Sequence, residues 1–210
     1  MIEVKEPDRI ETDGFSTWLQ ATIEVQKPDK TAVVPCGDCV ACCTSSLFIH
    51  IRADEKAALS RIPKELLFPA PGLRDGSFVL GFTKQGHCPM FEKGKCSIYE
   101  DRPDTCRKFD CRVLTAANLN PEEKPAIARQ AARWNFKMTD EKDRRELTAV
   151  RNAALFLNRN SSLFPSGFVP VNAPQRAALA IRIYQIFLDP VQKSDELLVE
   201  EIVRTLDCLT

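Results

Sequence analysis

The chain has 210 residues, 44% of them apolar and 28% charged, which is the composition of a soluble globular protein with room for one ordinary domain or a small stapled one plus an extension. Lysine plus arginine equals aspartate plus glutamate at 29 each, so no global field draws the chain to nucleic acid or to an anionic membrane. The first residues lack the basic and apolar parts of a signal peptide, and no apolar run approaches the ~20 residues that span a bilayer; the expected location is cytoplasmic.

Residues 1–11 are charged and aperiodic and read as a loose lead-in. From Phe15 to Val25 the apolar residues fit neither a helical nor a strand period cleanly, and this short element is expected to cover the cysteine-rich segment further along the chain, with Trp18 as a packing residue. Lys27-Pro28-Asp29-Lys30 is a turn. Then comes Cys36-Gly37-Asp38-Cys39-Val40-Ala41-Cys42-Cys43, four cysteines within eight residues. Residues 47–51 read as a strand, with Asp54 capping a short helix from Glu55 to about Arg61 that Pro63 ends. Residues 68–72 form a proline-rich rigid loop, and 77–82 a second strand. Pro89 to Tyr99 reads as a hairpin around Lys93-Gly94-Lys95, with Cys88 and Cys96 on its two arms. Asp104 to Val113 reads as one helical stretch carrying Cys106 and Cys111.

Beyond Asn118 there is no cysteine until 208, and the periodicity is helical. Helices are expected from Pro125 to about Lys137, from about Asp140 to Leu157, from Gln175 to Leu188 as the buried centre, and after Ser194, with Leu198, Ile202, Val203 and Leu206 inward. The expected fold class is α+β: residues 1–30 a lead-in, 31–117 a small cysteine-rich, metal-stapled domain of short strands and helices, and 118–210 a helical C-terminal region. A core as small as that of the middle segment rarely holds without staples.

Eight of the nine cysteines fall between 36 and 111. In a reducing compartment such density points to metal or catalysis rather than to disulfides. Thiolates suit zinc, copper(I) and iron–sulfur clusters. Three cysteines at successive x2 intervals, with a remote fourth, resemble the run that bacterial ferredoxins wrap around a four-iron cluster. Eight thiolates make either two four-thiolate sites, or one such site and a reactive reserve. Cys43, directly after Cys42, serves a second centre or stays free. Four thiolates around one Zn²⁺ carry a net charge of −2, which Arg102, Arg107, Lys108 and Arg112 stand close in sequence to offset.

The run 36–43, the segment from Cys88 to Cys96, and Cys96-Ser97-Ile98-Tyr99-Glu100-Asp101-Arg102-Pro103-Asp104-Thr105-Cys106-Arg107-Lys108-Phe109-Asp110-Cys111 together resemble the CxxCxxCC cysteine-cluster family. The resemblance covers about 33–113. It implies a zinc- or iron-chelating domain with Cys36, Cys39, Cys42, Cys43, Cys88, Cys96, Cys106 and Cys111 as metal ligands, and zinc or a four-iron iron–sulfur cluster as cofactor. The expected partner is a metal ion, with no membrane and no nucleic acid. Some relatives in that family are flagellin lysine N-methylases, which keeps open an iron–sulfur-assisted enzyme acting on a protein or small substrate. Those relatives are longer, and residues 121–210 carry no methyl-donor motif. Cys208 lies outside the pattern and is expected in the core of the last helix. His50 and His87 are not needed as ligands beside eight cysteines. Tyr99 is expected to pack, its neighbouring acids to cap or to pair with Arg102 and Arg107, and the helix carrying Arg129, Arg133 and Lys137 to present a solvated face with Trp134 buried.

Overall fold

The computed structural model of the protein describes residues 8–25, 30, 34, 36–70, 75–189 and 193–207. Residues 1–7 of the lead-in, all but Lys30 of the expected turn at 27–30, residues 71–72 of the expected loop, and Cys208 lie outside them.

Strand β1 (Ile10–Gly14) runs directly into helix α1 (Phe15–Val25). The ambiguous period around Phe15 is thus a helix, and part of the expected lead-in is a strand. Next come β2 (Ile49–Ile51) and α2 (Lys56–Arg61). Asp54 does not cap α2 with its side chain; it pairs with Arg52 at 3.0 Å instead. The expected loop at Phe68 begins as strand β3 (Leu67–Pro69), because β4 (Phe78–Leu80) pairs with it as well as with β2, giving an antiparallel sheet in the order β2-β4-β3. The hairpin forms as expected from β5 (Phe91–Glu92) and β6 (Lys95–Cys96). Lys93 and Gly94 both take positive φ, +48° and +80°, the left-handed turn that a two-residue hairpin loop requires.

The stretch expected as one helix breaks in two, α3 (Asp104–Lys108) and α4 (Arg112–Ala117), because Phe109 turns extended between them. Cys106 and Cys111 therefore stand on different elements. Helix α5 (Pro125–Ala131) stops early, and the residues beyond it form β7 (Trp134–Lys137), parallel to β1. Trp134 and Phe136 are buried while Asn135 and Lys137 are exposed, an alternation of period two that a helix cannot produce. The expected basic helix face at 129–137 does not exist as such, although Trp134 is buried as expected. Helices α6 (Glu141–Arg159), α7 (Ala173–Ile183) and α8 (Asp195–Asp207) complete the described chain, with Asp140, Asn172 and Ser194 accepting first-turn N–H groups as caps. Among the described residues no helix is long and apolar enough to cross a membrane. The fold is α+β.

The chain divides into two compact units, each discontinuous in sequence. One comprises residues 1–24, 111–121 and 131–210. Its core is helical: α6 packs on α7 and α4, and α7 contributes Ala177, Ala180, Ile181 and Ile183, each at most 1% exposed. Phe15, Trp18 and Phe136 form an aromatic cluster that fastens α1 to β7. The other unit comprises residues 25–110 and 122–130. Its core is small, with Ile49, Ile51, Ala58, Ile62, Leu80, Met90 and Ile98 between the three-stranded sheet, α2 and the hairpin.

Candidate metal centre

Seven of the eight clustered cysteines lie in the second unit, carried by three separate stretches of backbone. The first is the run 36–43. Gly37 takes φ +53°, and the Cys39 N–H bonds to the Cys36 carbonyl at 2.9 Å, so the run curls into a tight knuckle that ends in a single 3-10 turn at Cys42–Thr44. Cys42 is exposed, whereas Cys36, Cys39 and Cys43 are partly covered. The second stretch is the hairpin. The Cys88 N–H reaches across to the Cys43 carbonyl at 2.7 Å, and Cys96 stands opposite Phe91 on the other arm. The third is α3, whose middle residue is Cys106.

The hairpin and α3 meet over the small core, where Cys88, Cys96 and Cys106 all pack against its apolar side chains. Burial pushes the Cys43 thiol up to about 11, with Cys88, Cys96 and Cys39 raising it further and Arg102 opposing. Burial likewise pushes Cys106 up to about 12, with Cys88, Cys43 and Cys96 as its thiol neighbours. Burial also raises Cys88, while the Met90 N–H aimed at its sulfur works the other way. A metal that binds such thiols takes them as thiolates and displaces their protons.

The donor chemistry fits a thiophilic ion: soft sulfur, a low-dielectric floor and a guanidinium at the rim. The spacing is that of a neighbourhood rather than a finished coordination shell. Among the described residues, no three His, Cys, Asp or Glu side chains stand close enough to hold an ion as placed. Cys111 belongs to the first unit, where it is buried at the start of α4 and its sulfur accepts the Trp134 indole N–H at 3.2 Å. Residues 35–127 match the family model of the CxxCxxCC domain, described as "Putative zinc- or iron-chelating domain".

This stretch is similar to the CxxCxxCC family. No curated protein and no solved structure matches the chain.

His50 points outward from β2, and His87 meets Phe91 edge-on at 5.5 Å. Tyr99 does not pack inward: it is 53% exposed and lies under the Arg102 guanidinium at 3.8 Å. Asp101 pairs with Arg61 rather than with Arg102 or Arg107, and Arg107 donates to the carbonyls of Arg102 and Glu100. Arg112 is buried in the first unit near the rings of Trp18 and Trp134, at 6.0 and 5.6 Å.

A polar cleft of about 250 Å³ opens beside α3, lined among others by Arg52, Glu55, Arg102, Asp104 and Arg107. Glu55 is its organiser, a role that sequence reasoning missed. One carboxylate oxygen accepts the Arg52 N–H at 2.8 Å and the other the Asp104 N–H at 2.6 Å. Asp104 in turn binds Arg52 at 2.9 Å and Lys108 at 3.0 Å. Burial pushes Asp104 up, but these two partners outweigh it and hold the carboxyl below its ordinary range. The network fixes the start of α3, and with it Cys106. An acid directly after Pro103, at the first helical position, was the available signal.

Proposed function

We propose that the protein is a metal-chelating module that binds zinc or a four-iron iron–sulfur cluster through Cys36, Cys39, Cys42, Cys43, Cys88, Cys96, Cys106 and Cys111. One observation carries the reading: in the second unit, Cys88, Cys96 and Cys106 pack on one small apolar core, and the end of the cysteine run is hydrogen-bonded beside Cys88 through the Cys43 carbonyl. Apolar packing alone gives no reason to gather so many thiols, because a cysteine buried for packing behaves as a small hydrophobe and needs no second cysteine beside it. A shared soft-metal ligand set explains the grouping. The spacing Cys36-x2-Cys39-x2-Cys42 puts iron slightly ahead of zinc, because a mononuclear zinc knuckle draws on pairs rather than on a triple run. The setting that suits reduced thiols is the cytoplasm.

Anaerobic purification followed by metal analysis and a visible spectrum tests this. A brown protein absorbing broadly near ~400 nm is the expected iron–sulfur outcome. Colourless protein with stoichiometric zinc removes the iron half. Protein that holds neither metal, and takes up neither on reconstitution, removes the whole proposal.

A further inference from the structure

The cleft beside α3 is lined by guanidiniums and carboxylates alike, but the two sets are held in different ways. Each carboxylate has its partners inside the fold. Glu55 spends both oxygens on main-chain N–H groups, those of Arg52 and Asp104. Asp104 is shared by Arg52 and Lys108, and Asp101 pairs with Arg61 at 3.2 Å. Of the guanidiniums, Arg52 is matched by Asp54 and Asp104. Arg102 and Arg107 are held by uncharged groups instead. Nη1 of Arg102 donates to the Tyr99 carbonyl at 3.1 Å, and its guanidinium lies over the Tyr99 ring at 3.8 Å. Arg107 donates through Nε to the Arg102 carbonyl at 2.9 Å and through Nη2 to the Glu100 carbonyl. Among the described residues no carboxylate forms an ion pair with either.

Carbonyls and an aromatic face fix the direction of a guanidinium without neutralising it. Two positive charges therefore line one cleft, aligned in advance. Donors are left over, since a guanidinium has more N–H groups than the one that Arg102 and the two that Arg107 spend in these bonds. A single carboxylate would leave one of the charges unmatched. A phosphate group carries about −1.5 to −2 at pH 7, and its acceptor oxygens suit the guanidinium fork. The cleft, at about 250 Å³, is smaller than the ~300–1,000 Å³ of sites for drug-sized ligands and has room for one such group. We propose that this cleft binds a phosphate group, as the free ion or as the end of a small phosphate ester, with Arg102 and Arg107 as its charge partners. Such binding does not depend on which metal the cysteines hold.

The test uses the full-length chain with the metal it retains through anaerobic purification, and isothermal titration calorimetry in a phosphate-free buffer of low ionic strength. Inorganic phosphate, phenyl phosphate and acetate are the probes. One saturable site is expected for phosphate or its ester, with acetate at least about tenfold weaker. The tighter of the first two shows whether the cleft takes the free ion or an ester. Arg107→Gln should weaken that binding by about tenfold or more. Arg102→Gln should do the same, but Arg102 also stands within electrostatic reach of Cys43 and Cys106, so Arg107 is the cleaner probe. Asp101→Asn removes a lining carboxylate and frees Arg61, and should tighten phosphate binding by about threefold, a gain that no misfolded chain gives. Metal analysis of the same samples reports on chelation separately. No saturable site for either phosphate probe, acetate bound as tightly as phosphate, or an Arg107→Gln variant with wild-type circular dichroism and wild-type affinity overturns the proposal. Where Arg107→Gln does not fold, Asp101→Asn decides, and an affinity that is unchanged or weaker overturns it.

Discussion

Asp143 shows how one buried charge organises the first unit. Its carboxylate is 2% exposed, yet it accepts the Ser16 N–H, the Thr139 N–H and the Thr139 hydroxyl, each at 2.7 Å. It thus caps the first turn of α1 from a distance of 127 residues in sequence, while its own N–H is held by Asp140 at the start of α6. Burial pushes the carboxyl up, but the bonds from Ser16 and Thr139 outweigh it and hold Asp143 well below the ordinary carboxylate range. A group depressed in the folded state stabilises fully above its unfolded pKa of ~3.9, and that contribution fades as pH falls toward the folded value. Asp143→Ala leaves buried donors without an acceptor, so it should cost about 3 kcal/mol at pH 7. The gap between wild type and variant should narrow between about pH 4 and pH 2. Denaturant titrations followed by far-UV circular dichroism at both ends of that range check it, and a gap that stays constant would refute the charge-based account.

At the scale of the element, α3 is the piece whose position decides whether Cys106 can join the other thiols. It has five residues, too few to be stable alone, and is held by Glu55, Arg52 and Thr105 rather than by its own turns. Glu55→Gln keeps the shape but removes the charge from both bonds. As an outer-shell change it should weaken metal binding by about tenfold in a competition titration against a chelator of known affinity. An unchanged affinity would mean that α3 is fixed by its apolar contacts alone. The cysteine positions and the hairpin were legible in the sequence because they depend on local spacing and on a turn at Lys93-Gly94. Strand β7 was not, since Trp134-Asn135-Phe136-Lys137 becomes a strand by pairing with Ile10 and Glu11, more than a hundred residues earlier. Strand β3 escaped for the same reason: Pro69 argues for a loop, but it lies on an edge strand, where a missing donor costs nothing. Nor does helical spacing show that Asp143 and Glu146 of α6 face inward, both at 5% exposure or less; periodicity places them on the apolar stripe and composition argues them off it.

For the whole molecule, the two units differ in what can hold them together. The helical unit buries long apolar stripes from α4, α6, α7 and α8, among them Leu114, Val150, Leu157, Ile181 and Ile202, each at most 1% exposed. The cysteine-bearing unit has strands of two or three residues and a core of seven buried side chains, one of them an alanine. Its outer sheet face leaves Phe48 and Phe68 at 64% and 58% exposure, so apolar surface that would have added to that core remains in water. Structural zinc contributes ~10–16 kcal/mol of apparent folding free energy at neutral pH, far more than such a core supplies. Removing metal with a chelator, or by anaerobic acid release and return to neutral pH, should therefore open residues 36–110 to limited proteolysis. Fragments from 131–207 should persist, with most of the helical circular dichroism signal retained. Cys39→Ser and Cys106→Ser should each reproduce the chelated pattern, and Cys208→Ser, outside the cysteine cluster, should not. If residues 36–110 stay protease-resistant after the metal is gone, the cysteines are not the staple of that unit, and a redox or catalytic use of the thiols becomes the better account of why they are gathered there.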